Sequence, residues 1–431
     1  RRAARARPGA VSEHGGARAA SERDGAARDS DCGAWVHVND VAGFIGPEVF
    51  RTREQLVRCC LEDIAMGKLH GLCIGLDVCS TLHMDVSLDD LDWCLDRILP
   101  ANPAYLMALP TKIDPMLGYL TTAFQDHVRL REAFGYRVDD AIWAFFQQLG
   151  VVDANGRATD HFGNPRWIYL QYRRRKGDAR SDAHILEEGA QQLEAVRARG
   201  LFIAEGHGAR TWELRDSLQR EVRRVYDDAK LSIWAELTRE FIAAIPDALE
   251  LATLSADRVD YVLHPATGEQ LDGTSLAALQ RLRAQQAGRI EVQIAISDGL
   301  NALAIMHDGH LAPFLEALRA ALDGMRLAVA REHLVIESGR VRVGYRIGEA
   351  LFAGLEGPRA ILHAIGERPG SGHRTFSTYI TALPGDAWGK PGSADHNRTK
   401  VVSGIAATAL PPASAAREVA RLLGELVATD P

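Results

Sequence analysis

The sequence predicts an α/β protein in two successive parts: strand–helix repeats from Trp35 to Phe134, and a doubly wound pattern from Arg289 onward. Two observations predict it. Short apolar runs alternate with amphipathic stretches, which implies parallel strands with helical crossovers, in a sheet or a barrel. The apolar runs also end in polar, glycine-bearing loops, the usual place for a ligand at the carboxyl edge of a parallel sheet.

In order, Trp35–Phe44 reads as a strand, and Gly46-Pro47-Glu48 turns into a helix over Thr52–Met66. Leu72–Val78 (LCIGLDV) is a second strand, followed by an acidic helix, Leu88–Ile98. Tyr105–Leu109 is a third strand and Met116–Phe134 a long helix. From Tyr172 to Gly200 the chain is heavily charged, and helices are expected over Leu214–Leu251 and Ser275–Ala287. Ile290–Ile296 is a strand ending in Ser297-Asp298-Gly299-Leu300, and Leu311–Met325 is a helix. Strands are expected at Leu334–Glu337, Val341–Tyr345, Ile361–Ile365, Ser377–Ala382 and Val401–Ile405, with a closing helix at Ala413–Val427.

The 431 residues suffice for two or three domains, and 46% hydrophobic with 25% charged residues is ordinary for a globular chain. A net charge of −7 gives no electrostatic reason to expect nucleic acid or an anionic membrane. No apolar run approaches the roughly 18 residues that cross a bilayer. The six cysteines all precede residue 95 without a CxxC pair, which points to a reducing compartment rather than a zinc site. Residues 1–34, rich in Arg, Ala and Gly with scattered acids, read as a disordered tail. There is no Walker motif and no GxGxxG, which speaks against a generic nucleotide binder.

Three features carry candidate chemistry. The run Ala360–Gly372 (AILHAIGERPGSG) is a buried strand that stops at Gly366 and continues as Glu367-Arg368-Pro369. It fits a backbone-lined pocket for a polar ligand, or a solvent turn in which Glu367 and Arg368 pair; spacing alone leaves both open. Asp77 ends an apolar strand, where a carboxylate would hold a cationic amine, act as a base, or cap the next element. His83 follows in the same loop, where a lone histidine is more often a satisfied structural residue than a catalyst. The basic run Arg173–Lys176 has no interleaved aromatics and reads as an exposed face rather than a phosphate patch.

These residues carry a family resemblance. VAGFIGPEVF (Val41–Phe50), LEDIAMGKLHGLCIGLDVCSTLHMD (Leu61–Asp85) and YLMALPTKIDPMLGYLTTAFQD (Tyr105–Asp126) resemble the last part of the ethanolamine ammonia-lyase large subunit. VQIAISDGLNALAI (Val292–Ile305), SGRVRVGYRIGEAL (Ser338–Leu351) and IGERPGSG (Ile365–Gly372), with Val401–Ile405, resemble the small subunit. The resemblance implies a partial TIM-barrel segment over 35–172, a helical charged linker region over 173–254 and a Rossmann-like small-subunit domain over 255–431. It further implies adenosylcobalamin between the two, cobalt carried by the corrin, and radical conversion of ethanolamine to acetaldehyde and ammonia. Other subunits of the enzyme would be its partners, in the cytoplasm or a bacterial microcompartment.

Position by position, the resemblance makes Asp77 the carboxylate that meets the substrate amine, with Phe44 and Met107 as apolar pocket walls. Met116, Val341, Glu367 and Val401 match corrin-contacting positions; better-known members carry cysteine at the place of Val401. Leu82 stands where the family has asparagine, and Lys112-Ile113 interrupts its Gly-Asp-Asp run. The family's catalytic arginine, glutamine, asparagine and glutamates lie on earlier barrel strands, which residues before Trp35 do not resemble. The expectation is therefore a lyase component, inactive without a complementing large-subunit segment. The competing expectation is a non-catalytic cobalamin-binding or assembly module.

Overall fold

A computed structural model describes residues 37–42, 51–113, 119–199, 201–307, 309–366, 374–394 and 398–428. The expected tail at 1–34 and the site calls Phe44, Met116 and Glu367 lie outside the described residues. The architecture is mixed α/β, with helices around a mixed sheet and a smaller group of parallel strands ahead of it.

The first unit comprises β1 (Val38–Ala42), α1 (Arg53–Leu69), β2 (Ile74–Val78), β3 (Ser80–Thr81), α2 (Leu88–Ile98), β4 (Tyr119–Leu120) and α3 (Phe124–Phe134). Both early helices start where their sequences supply caps. Thr52 and Gln55 form a capping box at α1, and Ser87 and Asp90 form one at α2. Leu91, Cys94, Leu95 and Ile98 then bury one face of α2. β1 and β2 pair in parallel, with Val41 opposite Asp77. The expected strand Tyr105–Leu109 lies along the other edge of β2: Leu76 N donates to Tyr105 O at 3.1 Å, and Met107 N to Leu76 O at 2.9 Å.

The long helix expected over Met116–Phe134 is shorter. Residues 119 and 120 form β4, antiparallel to β3, and the helix begins at Phe124, where the Asp126 carboxylate accepts from Ala123 N at 2.8 Å. An acid at the third helical position fixes that start more strongly than the apolar residues before it.

Helices follow: α4 (Asp140–Gln148), α5 (Pro165–Arg175), α6 (Asp182–Arg197), α7 (Asp216–Ser232) and α8 (Arg239–Ala244). The basic run closes α5. Arg173 pairs with Asp178, which Arg180 also engages, and Arg174 pairs with Asp182, while Arg175 and Lys176 lie over the Phe145 and Tyr172 rings. The expectation of helix up to Leu251 is corrected: Pro246 ends helical geometry, Asp247 takes a positive φ of 49°, and β5 (Ala248–Ala252) begins.

The second unit adds α9 (Arg258–Leu263), α10 (Gly273–Gln286), β6 (Val292–Ser297), α11 (Ala302–Met306), α12 (Leu311–Gly324), β7 (Val329–Glu337), α13 (Val343–Phe352), β8 (Pro358–Ile365), β9 (Phe376–Pro384), β10 (Thr399–Ile405) and α14 (Pro412–Ala428). The strand order is β10-β9-β8-β6-β7-β5. β5, β7, β6 and β8 run parallel, and β9 and β10 extend the sheet antiparallel.

All six residues of β6 are buried, as in a central parallel strand, and its polar Gln293 is satisfied by the Glu332 carbonyl at 2.7 Å. Ile294, Ile296, Leu362 and Ala364 face α12 and α14, while Ala295 and Ile361 face α10 and α13. Each such fully buried large aliphatic contributes about 1.5–3 kcal/mol. Val341–Tyr345, read as a strand from its V-R-V alternation, instead leads into α13. Val343, Ile347 and Leu351, four residues apart, bury one helical face there, so the longer period prevails over three alternating residues.

The two units share a core. Leu82, Met84 and Leu91 of the first unit cluster with Val222, Val225 and Tyr226 of α7 and with Tyr261, Val262 and Leu300 of the second. Asp89 of the first unit pairs with Arg223 of α7 at 2.8 Å.

Candidate active site at the junction of the two units

Asp77 occupies the fourth of five wholly buried positions in β2 and is 5% exposed. β4 and the residues after it hold its carboxylate: the Thr121 hydroxyl donates to Oδ1, and the Tyr119 hydroxyl lies 3.5 Å from Oδ2. Two hydroxyl donors fix the rotamer of an acid at a strand end. Met107 lies beside it on the neighbouring edge of β2, 44% exposed, its carbonyl accepting from the Thr122 hydroxyl. The structure thus brings Asp77 and Met107 together.

Beyond Asp77 the chain reaches His83, whose Nδ1 is 3.0 Å from the Thr81 hydroxyl. Burial pushes the His83 imidazole down to about 4, and the nearby charges of Arg340 and Arg51 act in the same direction. Arg340 belongs to the second unit and directly precedes Val341. Leu82 in the loop after β2 shares a core with Tyr261, and the Arg340 guanidinium lies 4.6 Å from the centre of that ring.

In the second unit the strand ends are tied by buried polar pairs. Arg258 and Asp298 form an ion pair at 2.9 Å, both nearly inaccessible. Arg258 also donates to the Ile233 and Gly299 carbonyls, and Asp298 Oδ1 accepts from Gly339 N at 3.1 Å. Burial still pushes the Asp298 carboxyl up to about 6 against the opposing guanidinium. Ser297 Oγ lies 2.7 Å from His363 Nε2, and burial pushes that imidazole down to about 4. His363 Nδ1 points toward the Val341 carbonyl without closing a well-formed hydrogen bond.

Directly after β8, the Gly366 carbonyl accepts from Asn301 N at 2.5 Å. A Cβ at Gly366 would overlap the Asn301 and Asp298 carbonyl oxygens, so only glycine lets the two strand-end loops cross here.

Val341 is half-buried, at the turn into α13. Val401 is 44% exposed on β10, in register with Tyr379 of β9, which is in register with His363 of β8. Cross-strand partners share a face, so Val401 lies on the α13 face in the row that contains His363. Val341 and Val401 thus flank the carboxyl half of β8, one in the loop above it and one two strands along.

Sequence reading missed Arg258, Tyr261, Tyr119, Thr121 and Arg340. The Ser297–Leu300 loop was singled out, but nothing in the local pattern pairs Asp298 with an arginine forty residues earlier. Arg340 fell between two runs read as strands, Leu334–Glu337 and Val341–Tyr345.

Fold and site together define an α/β protein with a polar site at the carboxyl ends of parallel strands, set between two units. Comparison with known proteins gives the family. The family described as "Ethanolamine ammonia lyase large subunit (EutB)" matches residues 21–161, and "Ethanolamine ammonia-lyase light chain (EutC)" matches residues 188–430. The chain belongs to the ethanolamine ammonia-lyase light chain family, and the segment ahead of that match, residues 21–161, is similar to the large subunit.

Among relatives, the ethanolamine ammonia-lyase large subunit of Escherichia coli K12 is 38% identical over 132 residues, 31% of this chain and 29% of its own length. The small subunit of Bradyrhizobium diazoefficiens is 38% identical over 184 residues, 42% of this chain and 64% of its own. That of Pseudomonas paraeruginosa is 38% identical over 141 residues, 32% and 48% respectively. The chain therefore spans under a third of the large-subunit relatives it matches, and about half to just under two thirds of these small subunits.

Proposed function

We propose that the chain is a component of an ethanolamine ammonia-lyase that holds adenosylcobalamin at the junction of its units and acts on ethanolamine, releasing acetaldehyde and ammonia. One observation carries this reading: consecutive matches to the two subunits of one enzyme share one core, Leu82 and Met84 beyond Asp77 clustering with Tyr261 and Leu300 of the second unit. The matches on both halves favour it over a non-catalytic module. In the same reading, 35–172 is part of a TIM barrel, 173–254 a helical linker region, 255–431 a Rossmann-like domain, and 1–34 a tail.

Asp77, fixed by Thr121 and Tyr119, would take the substrate ammonium in a charge-assisted hydrogen bond, with Phe44 and Met107 as walls. Met116, Val341, Glu367 and Val401 would face the corrin. The residues described at the junction fit such a group, because the Arg340 Nε is buried there without an acceptor. Adenosylcobalamin, when bound, supplies the 5′-deoxyadenosyl radical; the protein orients substrate and excludes water. No helix among the described residues is long and apolar enough to cross a membrane. We place the working enzyme in the cytoplasm or a bacterial microcompartment, with further subunits as partners.

A coupled aldehyde assay with ethanolamine and adenosylcobalamin tests the reading, on the chain alone and with a relative's large subunit added. Turnover is expected on addition. Robust turnover by the chain alone would overturn the component role, and none in either case, above what the added subunit gives by itself, would overturn the lyase reading.

A further inference from the structure

Arg340 stands where the loop after β7 meets the first unit. Its backbone N–H donates to the Gly268 carbonyl at 2.8 Å, and Nη2 donates to the Tyr261 carbonyl at 2.9 Å. Its guanidinium lies 4.6 Å from the centre of the Tyr261 ring, a ring that Arg258 also approaches at 4.6 Å. The two cations are unequal. Arg258 is neutralised by Asp298, whereas among the described residues no carboxylate pairs with Arg340 and its Nε is buried without an acceptor.

Tyr261 is inaccessible, so its ring and carbonyl hold the Arg340 guanidinium at the junction and restrict its withdrawal into solvent. Across the junction, His83 offers it no negative charge. A partly desolvated guanidinium with an unused donor calls for an anion, because a neutral amide can accept its hydrogen bond but leaves its charge uncompensated. The planar fork of N–H donors matches two oxygens of a phosphate.

We propose that Arg340 binds the phosphodiester of the cobalamin nucleotide loop, clamping the cofactor's anionic tail at the junction of the two units. This rests on the cofactor reading above. It adds a polar anchor beside the Val341 contact and assigns the substrate-independent part of cofactor affinity to a residue outside the catalytic machinery.

The test is a visible-absorbance titration of the full chain, unsubstituted and as R340Q and R340K, with two ligands: adenosylcobalamin, and cobinamide, which keeps the corrin but lacks the nucleotide and its phosphodiester. R340Q is expected to weaken cobalamin about tenfold or more, the usual size of a charged hydrogen bond, and to leave cobinamide within about twofold. R340K, which keeps the charge but not the fork, is expected to fall between; thermal melts establish that each variant is folded, and R340K decides if R340Q is not. Unchanged cobalamin affinity in the folded variant would overturn the proposal, and so would an equal loss for cobinamide. If the unsubstituted chain binds neither corrinoid, the cofactor reading fails first and this assignment fails with it. Cobinamide binding without any preference for cobalamin would sink the assignment alone.

Discussion

Ser297 Oγ and His363 Nε2 sit 2.7 Å apart inside the second sheet, joining the carboxyl ends of β6 and β8 where neither side chain reaches water. The pair braces the strand ends from which the Ser297–Leu300 loop and the Gly366 turn depart. Burial, with no charged neighbour to oppose it, keeps the His363 imidazole neutral down to about pH 4.

That depressed value predicts a pH dependence. Unfolded, the imidazole takes its proton near 6.5; folded, it does so only near 4. Between those values the unfolded chain binds the extra proton, so the contribution of His363 is complete above 6.5 and is lost as pH falls toward 4. The loss amounts to about 3 kcal/mol. Asp298, raised to about 6, slopes the opposite way, so the variant comparison matters more than the raw curve. Urea melts from pH 7 to 4 are expected to show a shallower acid loss for H363Q than for the unsubstituted chain; parallel curves would contradict this.

The Arg258–Asp298 pair is expected to matter through its removal rather than its presence. R258M strands a buried carboxylate that also anchors Gly339 N, at a cost of about 3–5 kcal/mol. The double variant R258M/D298N is expected to recover part of that loss, because the uncompensated charge disappears. Chemical denaturation of both variants measures it.

Gly366 admits no side chain. G366A pushes a methyl group into the Asn301 and Asp298 carbonyls, which belong to backbone and cannot swing aside. The expected cost is about 1–3 kcal/mol or more, read as a lowered melting temperature.

Asp77 carries the substrate part of the account. D77N keeps the size of the side chain and an oxygen for the Thr121 hydroxyl, but removes the negative charge. In the complemented aldehyde assay, kcat/KM for ethanolamine is expected to fall about a hundredfold, while adenosylcobalamin affinity stays unchanged. Equal loss of both would reassign Asp77 to the fold.

Much of this was legible in the sequence where a single physical signal dominated. Leu88–Ile98 matches α2 residue for residue because Ser87 and Asp90 supply both halves of a capping box. The strand at Ile361–Ile365 was readable because a strand buried on both faces must be continuously apolar. Ala248–Ala252 was not, since ALELA carries helix-forming residues and becomes a strand only by pairing with β7. Val341–Tyr345 failed because three alternating residues cannot be told from the start of a helix.

At the site, Asp77 was visible as an acid closing an apolar strand, but its partners Tyr119 and Thr121 lie more than forty residues away in a segment read as helix. Arg258 and Arg340 had no local signal at all. Their roles come from converging on Tyr261, a tertiary fact.

The proposed function requires the two units to form one corrinoid site. Gel filtration of the chain with one equivalent of adenosylcobalamin, followed by the absorbance of the protein peak, tests it most directly. Cofactor co-eluting at a fixed ratio near one per chain is the result predicted. Protein emerging colourless at micromolar adenosylcobalamin would contradict it.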